Sequence, residues 1–200
     1  MTTTKPQSGL RLTVEEFMEL DDTDDRRKME LDDGVLYIMP RPRIVHNYAQ
    51  GEFFGYLRDY RRRQDGPGIE VYTDVIVALS LDRRRLYAPD VTIILPGNPC
   101  VVGERMVEGA PDIVIEVLSS DRNRDLVRKR QVYAEAGIPH YWLCDLRQDT
   151  LTLLELRDGG YLESATLTAD DTLTTPLLPG FTIPLADIFR HPHRPPHAGE

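Results

Sequence analysis

Residues 111–145 read PDIVIEVLSSDRNRDLVRKRQVYAEAGIPHYWLCD, and this stretch decides the fold because it reads as strand, loop, helix and strand. The first apolar run, residues 113–118, is apolar on both sides, as in a strand that is covered on both faces. Glu116 interrupts this run. An ionised carboxylate inside a buried strand is costly unless a cation or several hydrogen bonds meet it. Glu116 is therefore the first candidate functional residue in the chain.

The second half of this stretch predicts a helix that returns the chain to the sheet. Leu126, Tyr133 and Gly137 share one face of that helix, with Arg130 in the same phase. A strand–helix–strand unit over residues 112–145 is long enough for one right-handed crossover. With the further strands on either side and a second amphipathic helix over residues 46–63, the order predicts an α/β (or α+β) fold in which helices flank a central mixed β-sheet.

Three short signals predict local structure. Thr13, followed by Glu16 three residues later, matches a capping box at the start of a helix. Asp33-Gly34 lies between two apolar runs, which is a strong hairpin signal. Asp158-Gly159 predicts a second hairpin in the C-terminal part of the chain.

The composition is that of a globular chain. Of the 200 residues, 40% are hydrophobic and 28% are charged, and no apolar run approaches the roughly 18 residues of a membrane span. We expect one domain over residues 10–190, a flexible N-terminal tail over 1–9 and a disordered C-terminal tail over 191–200. The N-terminal residues lack the apolar core of a signal peptide, and two cysteines without a Cys-x-x-Cys pair indicate neither a disulfide scaffold nor a zinc site. We therefore expect a cytoplasmic protein with no membrane partner.

Charge is distributed unevenly along the chain. The net charge of −9, taken alone, argues against a protein that coats nucleic acid. Basic residues nevertheless cluster at residues 61–63, at 83–85 and from 122 to 130. This pattern is compatible with a local basic surface on an acidic protein, and equally with a set of solvated faces.

A second carboxylate, Asp90, opens the apolar strand predicted over residues 88–95. If Asp90 and Glu116 lie on adjacent strands, two ionised carboxylates about 4 Å apart repel by roughly 4 kcal/mol at an effective dielectric of about 20. A shared proton, a cationic side chain or a metal resolves such a pair, and oxygen ligands suit Mg²⁺ or Mn²⁺. A metal held there can generate a hydroxide nucleophile, and a lysine such as Lys129 can neutralise a phosphate transition state.

Each of these residues also has a plainer interpretation. Asp90 follows a proline and could cap local amides at the entry to a strand. Lys129 could be an ordinary solvated helix lysine, and Asp112, which shares the face of Glu116 by parity, could simply begin the strand. His46 starts the predicted helix, where a polar cap is the alternative to a role in a site.

Six short segments, in this order and spacing, carry a resemblance that covers most of residues 10–190. They are MELDDGVL at 29–36, APDV at 88–91, PDIVIEVLS at 111–119, RDLVRK at 124–129, YAEAGIP at 133–139 and YWL at 141–143. With these segments the chain resembles the Uma-type putative restriction endonuclease family of the PD-(D/E)xK nuclease superfamily. The resemblance implies a restriction-endonuclease-like α/β core.

The resemblance also implies a divalent-metal site in which Asp90 and Glu116 are the acidic ligands. The superfamily usually places its lysine two residues after the acid, but Leu118 occupies that position here. In this family the lysine is displaced to the following helix, which points to Lys129. Glu30 is implied as a further acid from the N-terminal region.

The leading hypothesis is a Mg²⁺- or Mn²⁺-dependent DNA endonuclease that hydrolyses phosphodiester bonds. In it Lys129 assists the attacking water, and Asp112 and His46 are further candidates for the site. The arginines expected to hold DNA phosphates are Arg122, Arg124, Arg128 and Arg130. A homodimer is expected because cutting both strands of a duplex suits a two-fold axis. Two alternatives stay open: a catalytically inactive binding or scaffold protein with the nuclease fold, and a phosphodiesterase that acts on RNA or nucleotides.

Overall fold

The computed structural model of the chain describes residues 6–20, 28–66, 68–119 and 121–191. The protein is α+β, which confirms the predicted fold class. The helices are α1 (Val14–Met18), α2 (Ile44–Arg62), α3 (Arg130–Glu135) and α4 (Leu185–Phe189), and a π-helical turn (Arg124–Lys129) leads into α3. The strands are β1 (Met29–Asp32), β2 (Val35–Ile38), β3 (Glu70–Thr73), β4 (Ile76–Ser80), β5 (Arg85–Tyr87), β6 (Val91–Ile94), β7 (Val101–Val102), β8 (Met106–Glu108), β9 (Ile113–Val117), β10 (His140–Asp145), β11 (Thr150–Arg157), β12 (Gly160–Thr168), β13 (Thr172–Leu173) and β14 (Ile183–Pro184).

The expected terminal tails fall partly outside this description. Residues 1–5 of the N-terminal tail and 192–200 of the C-terminal tail lie outside the described residues. Ser8 and Gly9 of the N-terminal segment are bonded to β2: Ile38 N donates to Ser8 Oγ at 2.9 Å, and Gly9 N donates to Leu36 O at 2.8 Å.

The described residues divide into two compact units, each with its own sheet. The first unit is drawn from Met1–Arg41, Asp74–Pro89 and Pro99–Ala110, and the second from Pro42–Thr73, Asp90–Asn98 and Pro111–Glu200. The strands are thus shared between two six-stranded mixed sheets, where the sequence predicts one central sheet. The expectation of one domain over residues 10–190 stays a prediction.

The first unit contains the sheet β2-β1-β5-β4-β8-β7, in which β4 and β8 are parallel. The predicted capping box of α1 is confirmed, because Glu16 N donates to Thr13 Oγ1 at 3.1 Å and Thr13 N donates to Glu16 Oε2 at 2.8 Å. The β1–β2 hairpin is confirmed too, with φ of 48° at Asp33 and 78° at Gly34. Positive φ at both central residues is the reason that Asp-Gly suits such a turn. The apolar core of this unit is formed by Phe17, Leu31, Leu36, Ala78 and Leu86.

The second unit contains the sheet β12-β11-β10-β9-β6-β3. Strands β9 and β10 are parallel, and the π turn and α3 connect them, so the predicted strand–helix–strand crossover is confirmed. The second predicted hairpin is the β11–β12 pair, with φ of 49° at Asp158 and 80° at Gly159. No helix among the described residues has the length and apolar character to cross a membrane.

Helix α2 covers one face of this second sheet, and this fixes where Glu116 points. Buried residues of α2, such as Phe53 and Leu57, share one apolar core with Ile113, Ile115 and Val117 of β9. Successive strand residues point to opposite faces of a sheet. Glu116 therefore lies on the other face, where it meets the helix that follows β9.

Candidate active site

Asp90 and Glu116 are brought together by the pairing of β6 with β9. These strands are antiparallel with Val91 opposite Ile115, so extending the register by one residue places Asp90 opposite Glu116. Directly opposed residues in such a pair have Cβ atoms about 4.5–5.5 Å apart. Asp90 Oδ2 also accepts a hydrogen bond of 2.7 Å from Val117 N, which fastens this carboxylate to the end of β9. Both carboxylates are nearly inaccessible to solvent, at 3% for Asp90 and 2% for Glu116.

The third predicted residue, Lys129, reaches Glu116 from the helix that follows β9. Lys129 Nζ lies 2.8 Å from Glu116 Oε1, and the Lys129 residue is only 3% exposed. Tyr133 Oη donates to the same oxygen at 2.7 Å. A buried carboxylate is stable only with such partners. The Lys129 ammonium and the Tyr133 hydroxyl therefore stabilise the carboxylate of Glu116 inside the strand.

The π turn decides which side chains of this helix point at Glu116. A π turn closes i→i+5 hydrogen bonds and so includes one residue more than an α turn. The helix phase is shifted accordingly: Asp125 and Lys129 are buried, whereas Leu126 is 36% exposed. The predicted apolar face is therefore wrong at Leu126, and also at Gly137, which is exposed. Tyr133 is buried as that face predicts.

Asp125 ties the π turn to the end of β9. Its Oδ2 accepts hydrogen bonds from Ser119 N at 3.1 Å and Ser119 Oγ at 3.0 Å, and its Oδ1 lies 3.7 Å from Lys129 Nζ. The hydroxyl of Tyr141, on β10, donates to the backbone oxygen of Asp125 at 3.0 Å. Burial raises the pKa of Tyr141 well above its ordinary value, and the negative charges of Glu116, Asp125 and Asp90 raise it further.

Two residues of α2 contact Asp90. His46 Nε2 lies 3.3 Å from Asp90 Oδ2, and Gln50 Nε2 donates to the backbone oxygen of Asp90 at 2.9 Å. His46, a secondary candidate from the sequence, is thus placed beside Asp90. Gln50 is an addition that the sequence analysis did not identify, since a glutamine within a helix has no distinguishing pattern.

The remaining acidic candidates are Asp112 and Glu30. Asp112 precedes the opposite end of β9, about 13 Å from Glu116 at roughly 3.3 Å per residue, and its Oδ2 accepts from Leu95 N at 2.6 Å and Asn98 Nδ2 at 2.8 Å. These contacts are those of a carboxylate that organises a loop. Glu30 belongs to the first unit, where it is buried on β1 with Oε1 3.4 Å from Ala88 N.

Among the four predicted DNA-binding arginines, Arg122 and Arg130 bond to protein groups and Arg124 is buried. Arg122 forms two hydrogen bonds with Asp145, at 2.9 and 2.6 Å, and Arg130 Nη2 donates to the Tyr161 backbone oxygen at 2.6 Å. Arg124 is 7% exposed, and Arg128 is half-buried. This distribution favours structural roles for Arg122 and Arg130 over phosphate binding.

The carboxylates of Asp90 and Glu116 are the candidate ligands of a divalent metal. Within the described part of the chain, no group of three or more His, Cys, Asp or Glu side chains is placed to hold a metal ion. Asp90 and Glu116 supply two carboxylates side by side, and Mg²⁺ is usually bound by one or two carboxylates, with waters and substrate phosphates completing its shell. The pair therefore fits an open magnesium or manganese site rather than a closed protein cage.

Sequence reasoning missed Asp125 and Tyr133. A signal for both was present, because Asp125, Lys129 and Tyr133 are spaced four residues apart. In a regular α-helix these positions drift around the axis, and the sequence gives no sign of the π turn that realigns them. A helix tyrosine is also most simply interpreted as part of an apolar core.

Comparisons with known proteins give the fold and the family of the chain. The solved structure of a putative nuclease belonging to DUF820, from Anabaena variabilis ATCC 29413, is similar in fold, with a TM-score of 0.69 and 18% sequence identity over 90% of this chain and 98% of that one. Comparison with curated proteins gives no match. Residues 14–186 match the model of the Uma2 family, which is described as "Putative restriction endonuclease". Since the match spans most of the chain, the protein belongs to this family.

Proposed function

We propose that the protein is a Mg²⁺- or Mn²⁺-dependent endonuclease that hydrolyses phosphodiester bonds in DNA. The observation that carries the proposal is a buried cluster at the end of β9: Asp90 Oδ2 accepts a hydrogen bond from Val117 N, and the neighbouring Glu116 has its Oε1 2.8 Å from Lys129 Nζ. Membership in a family described as putative restriction endonucleases supports the reaction class.

Asp90 and Glu116 would hold the metal. When bound, the ion would supply Lewis-acid activation of a water molecule and neutralise charge on the scissile phosphate. Two neighbouring carboxylates also favour a cation at this place. Hydrogen bonds from Val117 N and contact with His46 hold the Asp90 carboxylate in one orientation, so little reorganisation is required on binding.

Lys129 supplies positive charge that remains in the site throughout the reaction. Its ammonium group is anchored between Glu116 and Asp125, at 2.8 and 3.7 Å. An ammonium group presents three donors, so Lys129 can bind Glu116 and still direct a donor toward water or a phosphoryl oxygen. Preorganised charge of this kind stabilises the transition state without rearrangement.

DNA is proposed as the substrate because the family is described as putative restriction endonucleases and because exposed arginines can bind phosphates. Residues 61–63 and 83–84 are exposed arginines, and they suit this role better than Arg122 and Arg130.

We also propose a homodimer, because cutting both strands of a duplex suits a two-fold axis. Sedimentation velocity of the purified chain tests this proposal, and a monomer at micromolar concentration would refute it.

The test of the proposed function combines metal binding with cleavage. Wild type, Asp90→Asn and Glu116→Gln are titrated with Mn²⁺ by calorimetry, with and without duplex DNA, and incubated with duplex DNA, single-stranded DNA and RNA. Asp112→Asn is the matched control, because it alters a carboxylate at the other end of the same strand. We expect wild type and Asp112→Asn to bind Mn²⁺ and cut duplex DNA, and both site variants to lose activity by about 100-fold or more.

Other outcomes select the alternatives. Cleavage of RNA alone would make the protein a phosphodiesterase of another class. A wild type that binds no Mn²⁺ even with DNA, and cuts none of the three nucleic acids, would refute the proposal and favour a binding or scaffold protein. For DNA binding itself, we expect the affinity to fall steeply between low and high salt, because phosphate contacts release counterions.

A further inference from the structure

The tyrosine that shares the oxygen bound by Lys129 suggests a role that the sequence did not indicate. We propose that Tyr133 is a positioning residue, whose hydroxyl holds the Glu116 carboxylate in the orientation in which it binds Lys129. Its effect on catalysis rests on the function proposed above. Its effect on the Glu116–Lys129 pair does not, and the two can be tested separately.

Two donors converge on one carboxylate oxygen. Tyr133 Oη donates to Glu116 Oε1 at 2.7 Å, and Lys129 Nζ donates to the same atom at 2.8 Å. Both are charge-assisted hydrogen bonds, which are shorter and stronger than neutral ones. A glutamate side chain has three rotatable bonds, and two donors arriving from different side chains restrict all of them. Glu116 therefore has one preferred orientation that a lysine contact alone would not define.

The tyrosine ring is itself held in place. Tyr133 is fully buried, and its ring meets that of Tyr141 edge-on with centroids 5.1 Å apart. Tyr141 packs in turn against Tyr161, with centroids 5.7 Å apart, and its hydroxyl donates to the Asp125 backbone oxygen. Edge-to-face pairs of this kind are favourable beyond the burial of their area. The hydroxyl of Tyr133 thus projects toward Glu116 from a fixed ring.

The three tyrosines differ in what their hydroxyls bind. Tyr161 Oη donates to the Ile138 backbone oxygen at 2.7 Å, and Tyr141 Oη donates to that of Asp125. Of the three, Tyr133 alone donates to a carboxylate of the candidate site. Phenylalanine would fill the same space, so packing explains the ring of Tyr133 but not its hydroxyl.

The π turn places Tyr133 where it can act. Asp125, Lys129 and Tyr133 are spaced by four residues, and in a continuous α-helix each step of four rotates the side chain further around the axis in the same direction. The wider π turn over Arg124–Lys129 turns the first step the other way, because it includes one more residue per turn. As a result all three side chains point toward the Glu116 end of β9. The Tyr133 hydroxyl and the Lys129 ammonium both bond to Glu116 Oε1.

The proposal is tested with Tyr133→Phe and its matched control Tyr161→Phe, each of which removes one buried tyrosine hydroxyl bonded at 2.7 Å. The first readout needs neither metal nor nucleic acid. The chain has only three lysines, so acylation by acetic anhydride, followed by mass spectrometry, reports the reactivity of Lys129 relative to Lys28. We expect Tyr133→Phe to raise the relative rate at Lys129 about fivefold, since a hydrogen bond worth about 1 kcal/mol no longer orders the pair, and Tyr161→Phe to leave it unchanged.

The second readout is cleavage of the nucleic acid that wild type cuts. We expect Tyr133→Phe to lower kcat by about 10- to 100-fold, the usual effect of removing a group that orients a site residue, with KM unchanged, and Tyr161→Phe to retain wild-type kcat. Thermal unfolding establishes that both variants are folded at the assay temperature. Equal Lys129 reactivity in the two variants would overturn the positioning role. A wild type without cleavage would instead overturn the proposed function, while the acylation rates would still decide the role of Tyr133.

Discussion

Lys129 Nζ and Glu116 Oε1 are 2.8 Å apart, and neither side chain is more than 4% exposed. Desolvating two charges costs several kcal/mol per ion, which their attraction offsets only with good geometry and further hydrogen bonds. Tyr133 provides such a bond to Glu116, and the Asp125 carboxylate lies 3.7 Å from Lys129 Nζ. The two charges are therefore interdependent, and removing either one leaves the other buried without its main partner.

This interdependence predicts a strong non-additivity of stability. We expect Lys129→Met to lower the free energy of unfolding by about 3–5 kcal/mol, and Glu116→Gln to lower it as well, because each leaves one buried charge uncompensated. The double variant should be more stable than the sum of the two losses implies. Urea unfolding of the four proteins at pH 7 measures the interaction free energy.

The control for that cycle is Asp170→Asn combined with Arg190→Met. This pair is 2.7 Å long but lies on the surface, with side chains 87% and 65% exposed. Exposed pairs contribute little, so its single variants should match wild type. If Lys129→Met and Glu116→Gln were additive, the pair would not be a coupled unit.

The identity of the cation at position 129 is the basis of a second prediction. The chain has twenty-one arginines and three lysines, yet a lysine occupies this buried position. Lys129→Arg keeps the charge but introduces a larger planar group, so we expect a loss of about 1–3 kcal/mol from overpacking. We expect cleavage to fall to the same level in Lys129→Arg and in Lys129→Met. Unfolding in urea and a single-turnover assay measure both effects, and wild-type activity in Lys129→Arg would show that only charge matters.

Local signals in the sequence predicted local structure well. Thr13 and Glu16 form the capping box that their spacing requires, and both Asp-Gly pairs turn hairpins with positive φ. These features depend on a few neighbouring residues, so a short sequence pattern contains the necessary information. The proximity of Asp90 and Glu116 can also be inferred from the sequence, because it needs only the assumption that two apolar strands are adjacent.

The parts that sequence did not reveal depend on long-range or unusual geometry. The π turn follows from how the loop after β9 is anchored by Asp125 on Ser119, and no pattern of apolar residues signals it. The sequence therefore predicts a regular helix with Leu126 buried, whereas Asp125 is buried in the structure and Leu126 is 36% exposed. The division of the strands into two sheets is likewise set by packing between segments far apart in sequence.

The ion pair of Arg122 with Asp145 predicts a stability effect that depends on pH. Burial alone would raise the pKa of Asp145, but hydrogen bonds from Arg122 and from the Arg147 amide outweigh it and hold the pKa below its ordinary value. A carboxyl whose folded pKa is depressed contributes stability above its unfolded pKa of about 3.9 and loses that contribution as pH falls through the folded value. We expect Asp145→Asn to cost about 1–3 kcal/mol at pH 7.

That cost should be the same at pH 5 and pH 7 and should shrink below about pH 4, where wild type also becomes protonated. Urea unfolding of wild type and Asp145→Asn at pH 7, 5, 4 and 3.5 gives the profile. A cost that persisted undiminished at pH 3.5 would mean that Asp145 acts through its shape or neutral hydrogen bonds and not through its charge.

The DNA affinity of Arg122→Ala, corrected for the fraction of unfolded protein, should match that of wild type, because this guanidinium is bound to Asp145.

The π turn itself can be removed by a single deletion. Val127 lies within the turn and is 59% exposed, so its side chain contributes little to the core. Deleting it removes the extra residue that a π turn includes and should convert Arg124–Lys129 to regular α-helix. We expect a folded protein with undiminished helical circular dichroism, because i→i+4 bonds are more favourable than i→i+5 bonds. Asp125 would then lie three residues before Lys129, offset from it by about 60° around the helix axis, and would be displaced from Ser119.

Two assays on the deletion variant measure the geometry of the site separately from the stability of the fold. In the deletion variant, acylation of Lys129 should rise relative to Lys28, and any cleavage should fall by about 10- to 100-fold, since Lys129 loses the group that anchors it beside Glu116. Val127→Ala is the control, as it trims the same exposed side chain without changing the register, and it should resemble wild type in both assays. If the deletion left Lys129 as protected as in wild type, the extra residue would not be what aligns Asp125, Lys129 and Tyr133. The alignment would then be set by β9 and β10, whose parallel pairing the deletion does not touch.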